Sequence, residues 1–186
     1  MSFKWVPNVI CIVRALLVAP IVYMLLEERF LAALLLIAIA GFSDALDGFL
    51  ARAFDWRTPL GSLLDPAADK LLIVSVFLTL TVAELVPLYL TALVVFRDVV
   101  IVGGAALYQW LIAPVHGEPT LISKLTTGCQ LLFILAILTD AVLQWPPAPV
   151  LTVLGAAVVF TSLTSGLNYV VGWSKRAWRN TRQIAV

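Results

Sequence analysis

Apolar residues dominate the chain in six long blocks, and short polar breaks separate them. The first block covers about residues 9–26 and ends at Glu27-Glu28-Arg29. The second begins near Phe30, stays apolar to Gly41 and runs into an acidic stretch. A polar interval over 54–62 holds Asp55, Arg57, Thr58, Pro59 and Gly61 and reads as a loop. The third block starts at Asp65-Pro66 and reaches about residue 83, and Glu84 to Pro87 reads as a turn. The fourth spans about 88–112, the fifth about 120–143 and the sixth about 150–173. Between them lie a Pro/Gly loop at 113–119 with His116, and the run Trp145-Pro146-Pro147-Ala148-Pro149. Each block is roughly 18–25 residues long, the length of helix that crosses a hydrocarbon layer of about 30 Å. Backbone groups in lipid must be satisfied within the segment, so helices are the expected form. The pattern predicts an all-α integral membrane bundle of six transmembrane helices, preceded by a short amphipathic segment with Lys4, Trp5 and Pro7.

Composition agrees with the pattern. The chain has 186 residues, 62% hydrophobic and only 12% charged, and its mean hydropathy is +1.03. Water-soluble domains carry about 25% charged residues, so a soluble globule is excluded. A net charge of +1 gives no electrostatic reason to expect a nucleic-acid partner. Cys11 and Cys129 lie in apolar blocks and read as buried thiols outside any disulfide or metal framework. The first block holds Arg14 and lacks a small-residue cleavage site, so it is expected to be a retained span. No repeat or second composition appears, and one membrane domain over 1–186 is expected. With the N-terminus inside, Lys4, Arg52, Arg57, Lys70, Lys124, Lys175, Arg176, Arg179 and Arg182 gather on the cytoplasmic face, against Arg29 alone outside. A multi-pass protein, as of a bacterial inner membrane, with both termini cytoplasmic is the expected topology.

Against this apolar background four aspartates stand out. Asp44 and Asp47 are three residues apart, Asp65 and Asp69 four apart, so each pair shares a helix face. Adjacent carboxylates remain ionised when cations lie between them, and hard oxygen donors suit Mg²⁺, Mn²⁺ or Ca²⁺; two divalent ions could be held. Ions so placed can bind a pyrophosphate and polarise its phosphorus. Gly48 and Gly61 leave room for a ligand, Arg52 can fork onto a phosphate, and one aspartate can take a proton from an attacking hydroxyl. The bland alternative is that Asp65 caps a helix and Asp44 and Asp47 simply lie at a membrane surface. Arg14, Arg97, Asp98 and Lys124 are further charges inside blocks. Arg97-Asp98 fits either a neutralised structural pair or a ligand cation, and Lys124 either a ligand cation or an interfacial lysine. The six tryptophans fall near block ends. Gly103-Gly104 and Gly166 suit close helix packing, and Ser162, Thr164, Ser165 and Asn168 make the last block more polar than lipid requires.

The run Asp44-x-x-Asp47-Gly48-x-x-Ala51-Arg52-x8-Gly61-x-x-x-Asp65-x-x-x-Asp69 resembles, in full, the signature of the CDP-alcohol phosphatidyltransferase family. The resemblance extends to six spans and near-full length. It implies transfer of a phosphatidyl group from CDP-diacylglycerol to an acceptor hydroxyl, with release of CMP. It further implies that Asp44, Asp47, Asp65 and Asp69 ligate Mg²⁺ or Mn²⁺, that Asp69 is the general base, and that Gly48, Arg52 and Gly61 hold the cytidine diphosphate. A homodimer is implied as well. Within the family, Pro7-Asn8-x5-Arg14 is similar to the opening of phosphatidylglycerophosphate synthases, whose acceptor is glycerol 3-phosphate. Arg97-Asp98-Val99, with no second arginine following, and Leu121-Ile122-Ser123-Lys124-x-Thr126-x3-Gln130 look more like CMP-forming cardiolipin synthases. The resemblance therefore favours phosphatidylglycerol as acceptor, with Arg97 and Lys124 near its phosphate. Glycerol 3-phosphate is the alternative, and a transporter built on the same carboxylates is the rival of another class.

Overall fold

The computed structural model describes the backbone of residues 6–53, 59–111 and 121–184, and the side chains of residues 11–43, 68–104 and 121–172. It is all helical there, with α1 Val6–Leu26, α2 Phe30–Ala53, α3 Pro59–Val82, α4 Leu88–Leu111, α5 Leu121–Leu143 and α6 Ala148–Ile184. All six expected helices form. Two boundaries differ from the sequence reading. Helix α3 starts at Pro59, which fixes φ and needs no amide partner in a first turn, so Gly61, Asp65 and Pro66 lie inside the helix and Asp65 is not its cap. Helix α6 does not stop near Trp173 but continues to Ile184 over 37 residues, about 55 Å at 1.5 Å per residue. The basic tail is thus the end of a helix.

The chain divides into two compact units. The first comprises residues 1–87 and 134–147. Here α1 packs on both α2 and α3. Its buried stripe is Cys11, Arg14, Val18, Ile21 and Leu25, spaced three and four apart as one helix face must be. α2 answers with Ala33, Ile37 and Ala40, the two alanines letting the backbones approach, and α3 with Ala68, Leu72, Val76, Phe77 and Leu80. The second unit comprises residues 88–133 and 148–186. In it α4 packs on α6. Gly155 of α6 meets Leu90 of α4 and Phe133 of α5, whose atoms lie 3.4–3.8 Å from where a Cβ would sit. Gly166 seats the stem of Arg97, with its Cγ 3.8 Å from a Cβ position, whereas Gly103 faces open space in this chain. Cys11 is buried as expected, and Cys129 is only half-buried.

Outward faces are apolar in both units. Leu16, Phe42, Val82, Phe96, Leu132 and Phe160 are all well exposed, while buried positions include Arg14, Arg97, Asp98, Gln130 and several hydroxyls. Among the described residues, α5 and the segment Ala148–Gly172 of α6 are each long and apolar enough to cross a membrane; Cys11–Leu26 and Phe30–Ser43 are shorter apolar stretches.

The three described turns close alike. Glu28, Glu84 and Gln144 each adopt a positive φ, of 56°, 58° and 53°. At the second, the amides of Leu85 and Val86 return to the Leu80 carbonyl at 2.9 and 3.2 Å, terminating α3. A residue with a Cβ is strained in this region and glycine is not. Glu84→Gly is therefore expected to stabilise the protein by about 0.5–1 kcal/mol, read as a small rise in the detergent melting temperature. A lower melting temperature would show that the Glu84 side chain itself holds the turn.

Candidate active site

Of the residues picked out by the aspartate motif, Asp44, Asp47, Gly48 and Arg52 fall in α2, and Gly61, Asp65 and Asp69 in α3. Both helices pack on α1. The side chains of Asp44, Asp47, Arg52 and Asp65, and the surroundings of Gly48 and Gly61, lie outside the described residues, as does His116. Asp69 is described, and its setting is specific. Its Oδ1 accepts a hydrogen bond from Nη1 of Arg14 at 2.5 Å, across 55 residues of sequence. The two ends of this ion pair differ. The Arg14 side chain is 1% exposed and the Asp69 side chain 37%.

A part-exposed carboxylate anchored from the core side is a hard anionic donor that can ligate a cation or accept a proton. That chemistry fits a divalent metal ion. Among the described residues no group of three or more His, Cys, Asp or Glu forms, because only one of the motif's four aspartates is among them.

A second polar cluster lies in the other unit. Arg97 is 4% exposed. Its Nη1 donates to Oδ1 of the adjacent Asp98 at 2.5 Å, and its Nη2 donates to Oγ of Ser123 on α5 at 2.8 Å and Oγ of Ser165 on α6 at 2.7 Å. Thr126 Oγ1 donates to the Ile122 carbonyl at 2.8 Å and lies 3.1 Å from the Thr161 carbonyl, stitching α5 to α6. Among the described residues of this unit, Arg97 Nε, Gln130 Nε2 and Ser162 Oγ are buried without a hydrogen-bond partner. Arg97 thus forms the neutralised pair with Asp98 that its position suggested, and it also ties three helices together. Lys124 is exposed, and Ser123 is the residue of that turn that reaches Arg97. In α6, Ser165 faces the cluster, Thr164 returns its hydroxyl to the Phe160 carbonyl, and Asn168 is exposed.

Sequence reasoning did not assign the partner of Arg14, nor Ser123 and Ser165 as acceptors for Arg97. The available signal was helical phase. Arg14 falls in register with Cys11, Val18, Ile21 and Leu25, so a charge was bound to be buried there and to need a counter-charge.

Comparison with known proteins gives a consistent picture. A model of the CDP-alcohol phosphatidyltransferase family matches residues 4–165. A CMP-forming cardiolipin synthase of Rattus norvegicus is 33% identical over 180 residues, covering 88% of this chain and 60% of the relative. A chloroplastic CDP-diacylglycerol–glycerol-3-phosphate 3-phosphatidyltransferase of Oryza sativa subsp. japonica is 34% identical over 185 residues, 90% of this chain and 56% of that one. The corresponding 3-phosphatidyltransferase of Aquifex aeolicus is 36% identical over 126 residues, 66% of this chain and 68% of that one. The chain thus spans little more than half the length of the rat and rice relatives.

Proposed function

This chain belongs to the CDP-alcohol phosphatidyltransferase family, and we propose that it transfers the phosphatidyl group of CDP-diacylglycerol to phosphatidylglycerol, releasing CMP and forming cardiolipin. The observation that carries the catalytic part is Asp69, a part-exposed carboxylate at the end of the four-aspartate motif, held from inside by a buried arginine. Asp69 takes the proton from the acceptor hydroxyl. The freed oxygen forms a bond to the diacylglycerol-bearing phosphorus, and the bond from that phosphorus to the CMP oxygen breaks. Arg52 grips the diphosphate, and Gly48 and Gly61 let it approach the backbone. Asp44, Asp47, Asp65 and Asp69 would hold Mg²⁺ or Mn²⁺, two ions in all, which when bound neutralise the diphosphate and polarise its phosphorus. Six membrane spans with a cytoplasmic active site and both termini inside are part of the same reading, supported by the apolar outward faces and the lysine and arginine distribution. A homodimer is proposed with it.

Phosphatidylglycerol is preferred because the rat relative is named a CMP-forming cardiolipin synthase and because Arg97 already spends its terminal nitrogens on Asp98, Ser123 and Ser165. Glycerol 3-phosphate is the second reading, favoured by the names of the rice and Aquifex relatives; Arg97 and Lys124 would then be the cations nearest its phosphate. An acceptor competition separates them. The purified protein, with CDP-diacylglycerol and Mg²⁺ or Mn²⁺, is given each acceptor in turn and CMP is measured. CMP with phosphatidylglycerol alone is expected. CMP with glycerol 3-phosphate alone would replace the first reading by the second, and no metal-dependent CMP with either would remove both.

A further inference from the structure

We propose that Arg14 is a positioning residue for Asp69, fixing from the protein interior the direction in which that carboxylate faces its substrate. The inference rests on the reading of Asp69 as general base and deepens it. Arg14 lies within the buried α1 stripe, between Cys11 and Val18, among otherwise uncharged side chains. A buried ion pair is seldom needed for stability, since a hydrophobic replacement of similar volume is often neutral or better. Its presence is accounted for by what it does to its partner.

An aspartate on a helix can choose among staggered χ1 rotamers. Asp69, at 37% exposure, has room to change. The guanidinium is almost wholly enclosed and holds Oδ1 at 2.5 Å, so it selects one orientation. It does so from the core side of a carboxylate that is 37% exposed. A planar fork suits this task better than the single point charge of a lysine.

The test uses the full chain in detergent. Arg14→Met keeps the volume and removes the fork. It is expected to lower kcat for CMP release by roughly 10²-fold, the cost of a catalytic group misplaced by about an ångström, with KM for CDP-diacylglycerol changed less than about threefold. Arg14→Lys should recover only part of the loss. A readout without turnover accompanies these. With EDTA present, the melting-temperature shifts of Arg14→Met and Asp69→Ala should be non-additive in the double variant, because both remove the same contact. Additive shifts would overturn the proposal. So would a parental kcat in Arg14→Met or, where that variant does not fold, in Arg14→Lys. Asp69→Asn distinguishes the two layers. If that variant keeps its activity, the general-base reading fails. If it is inactive while Arg14→Met turns over normally, only the positioning role fails.

Discussion

Asp69→Asn is expected to reduce CMP release by roughly 10²–10⁴-fold, the range associated with losing a general base, while the melting temperature falls less than in Asp69→Ala, because the Arg14 hydrogen bond is kept though its counter-charge is lost. The two halves of this expectation come from different atoms. Asn retains an Oδ1 of the same shape and position, so Arg14 Nη1 keeps its acceptor and the α1–α3 contact survives. What is lost is the negative charge on the part-exposed group, and with it the capacity to take a proton or to bind a divalent ion strongly. Asp69→Ala removes the acceptor as well and is expected to lose both activity and stability. CMP release measured beside thermal unfolding distinguishes the two variants. Near-parental turnover by Asp69→Asn would remove Asp69 from the chemistry altogether.

The second large effect is on stability and lies in the other unit. Arg97→Leu deletes the cation of a pair that is nearly sealed from solvent and strands the Asp98 carboxylate without its arginine. Breaking such a pair from one side costs roughly 3–5 kcal/mol, equivalent here to a fall of about 10 °C or more in melting temperature. The hydroxyls of Ser123 and Ser165 lose a charged donor at the same time. Arg97→Leu combined with Asp98→Leu should recover most of that loss, since no buried charge is left behind. If the double variant melts as low as the single one, the cluster is held by the arginine's ties to α5 and α6 rather than by charge balance. Acceptor KM measured on Arg97→Lys then asks a separate question. A large rise would support direct contact between Arg97 and the acceptor phosphate.

The hydrophobic blocks made six helices readable, since block length and polar punctuation alone nearly place α1, α4 and α5. The start of α3 was not readable in the same way. Gly61 and the Asp65-Pro66 pair are ordinary breaker and capping signals, yet Pro59 is the residue that opens the helix. Two prolines seven residues apart offer two plausible starts, and local rules do not choose between them. The end of α6 was hidden for another reason. Lys175 through Arg182 end an apolar run without ending a helix, because charge is compatible with helical backbone once the segment leaves the hydrocarbon. Pairings were the least legible. The motif identified Asp69 by spacing, but that its partner is Arg14 depends on how α1 and α3 pack, which no local pattern encodes. Ser123 stood out only as a motif residue and Ser165 only as part of a polar stretch, and neither pattern names Arg97 as the partner.

The Arg14–Asp69 pair also bears on how the protein is made. An arginine near the middle of a lone helix resists entry into lipid by about 2.5–3.5 kcal/mol on insertion scales. Its partner is encoded two helices later, so α1 emerges from the ribosome well before its charge can be neutralised. On the proposed topology, α1 is expected to insert stably only once α3 has been made. A nascent chain truncated after α1 or α2 should remain extractable, and one extending past α3 should not. Arg14, proposed above to position Asp69, is thereby also expected to couple the commitment of α1 to that of α3.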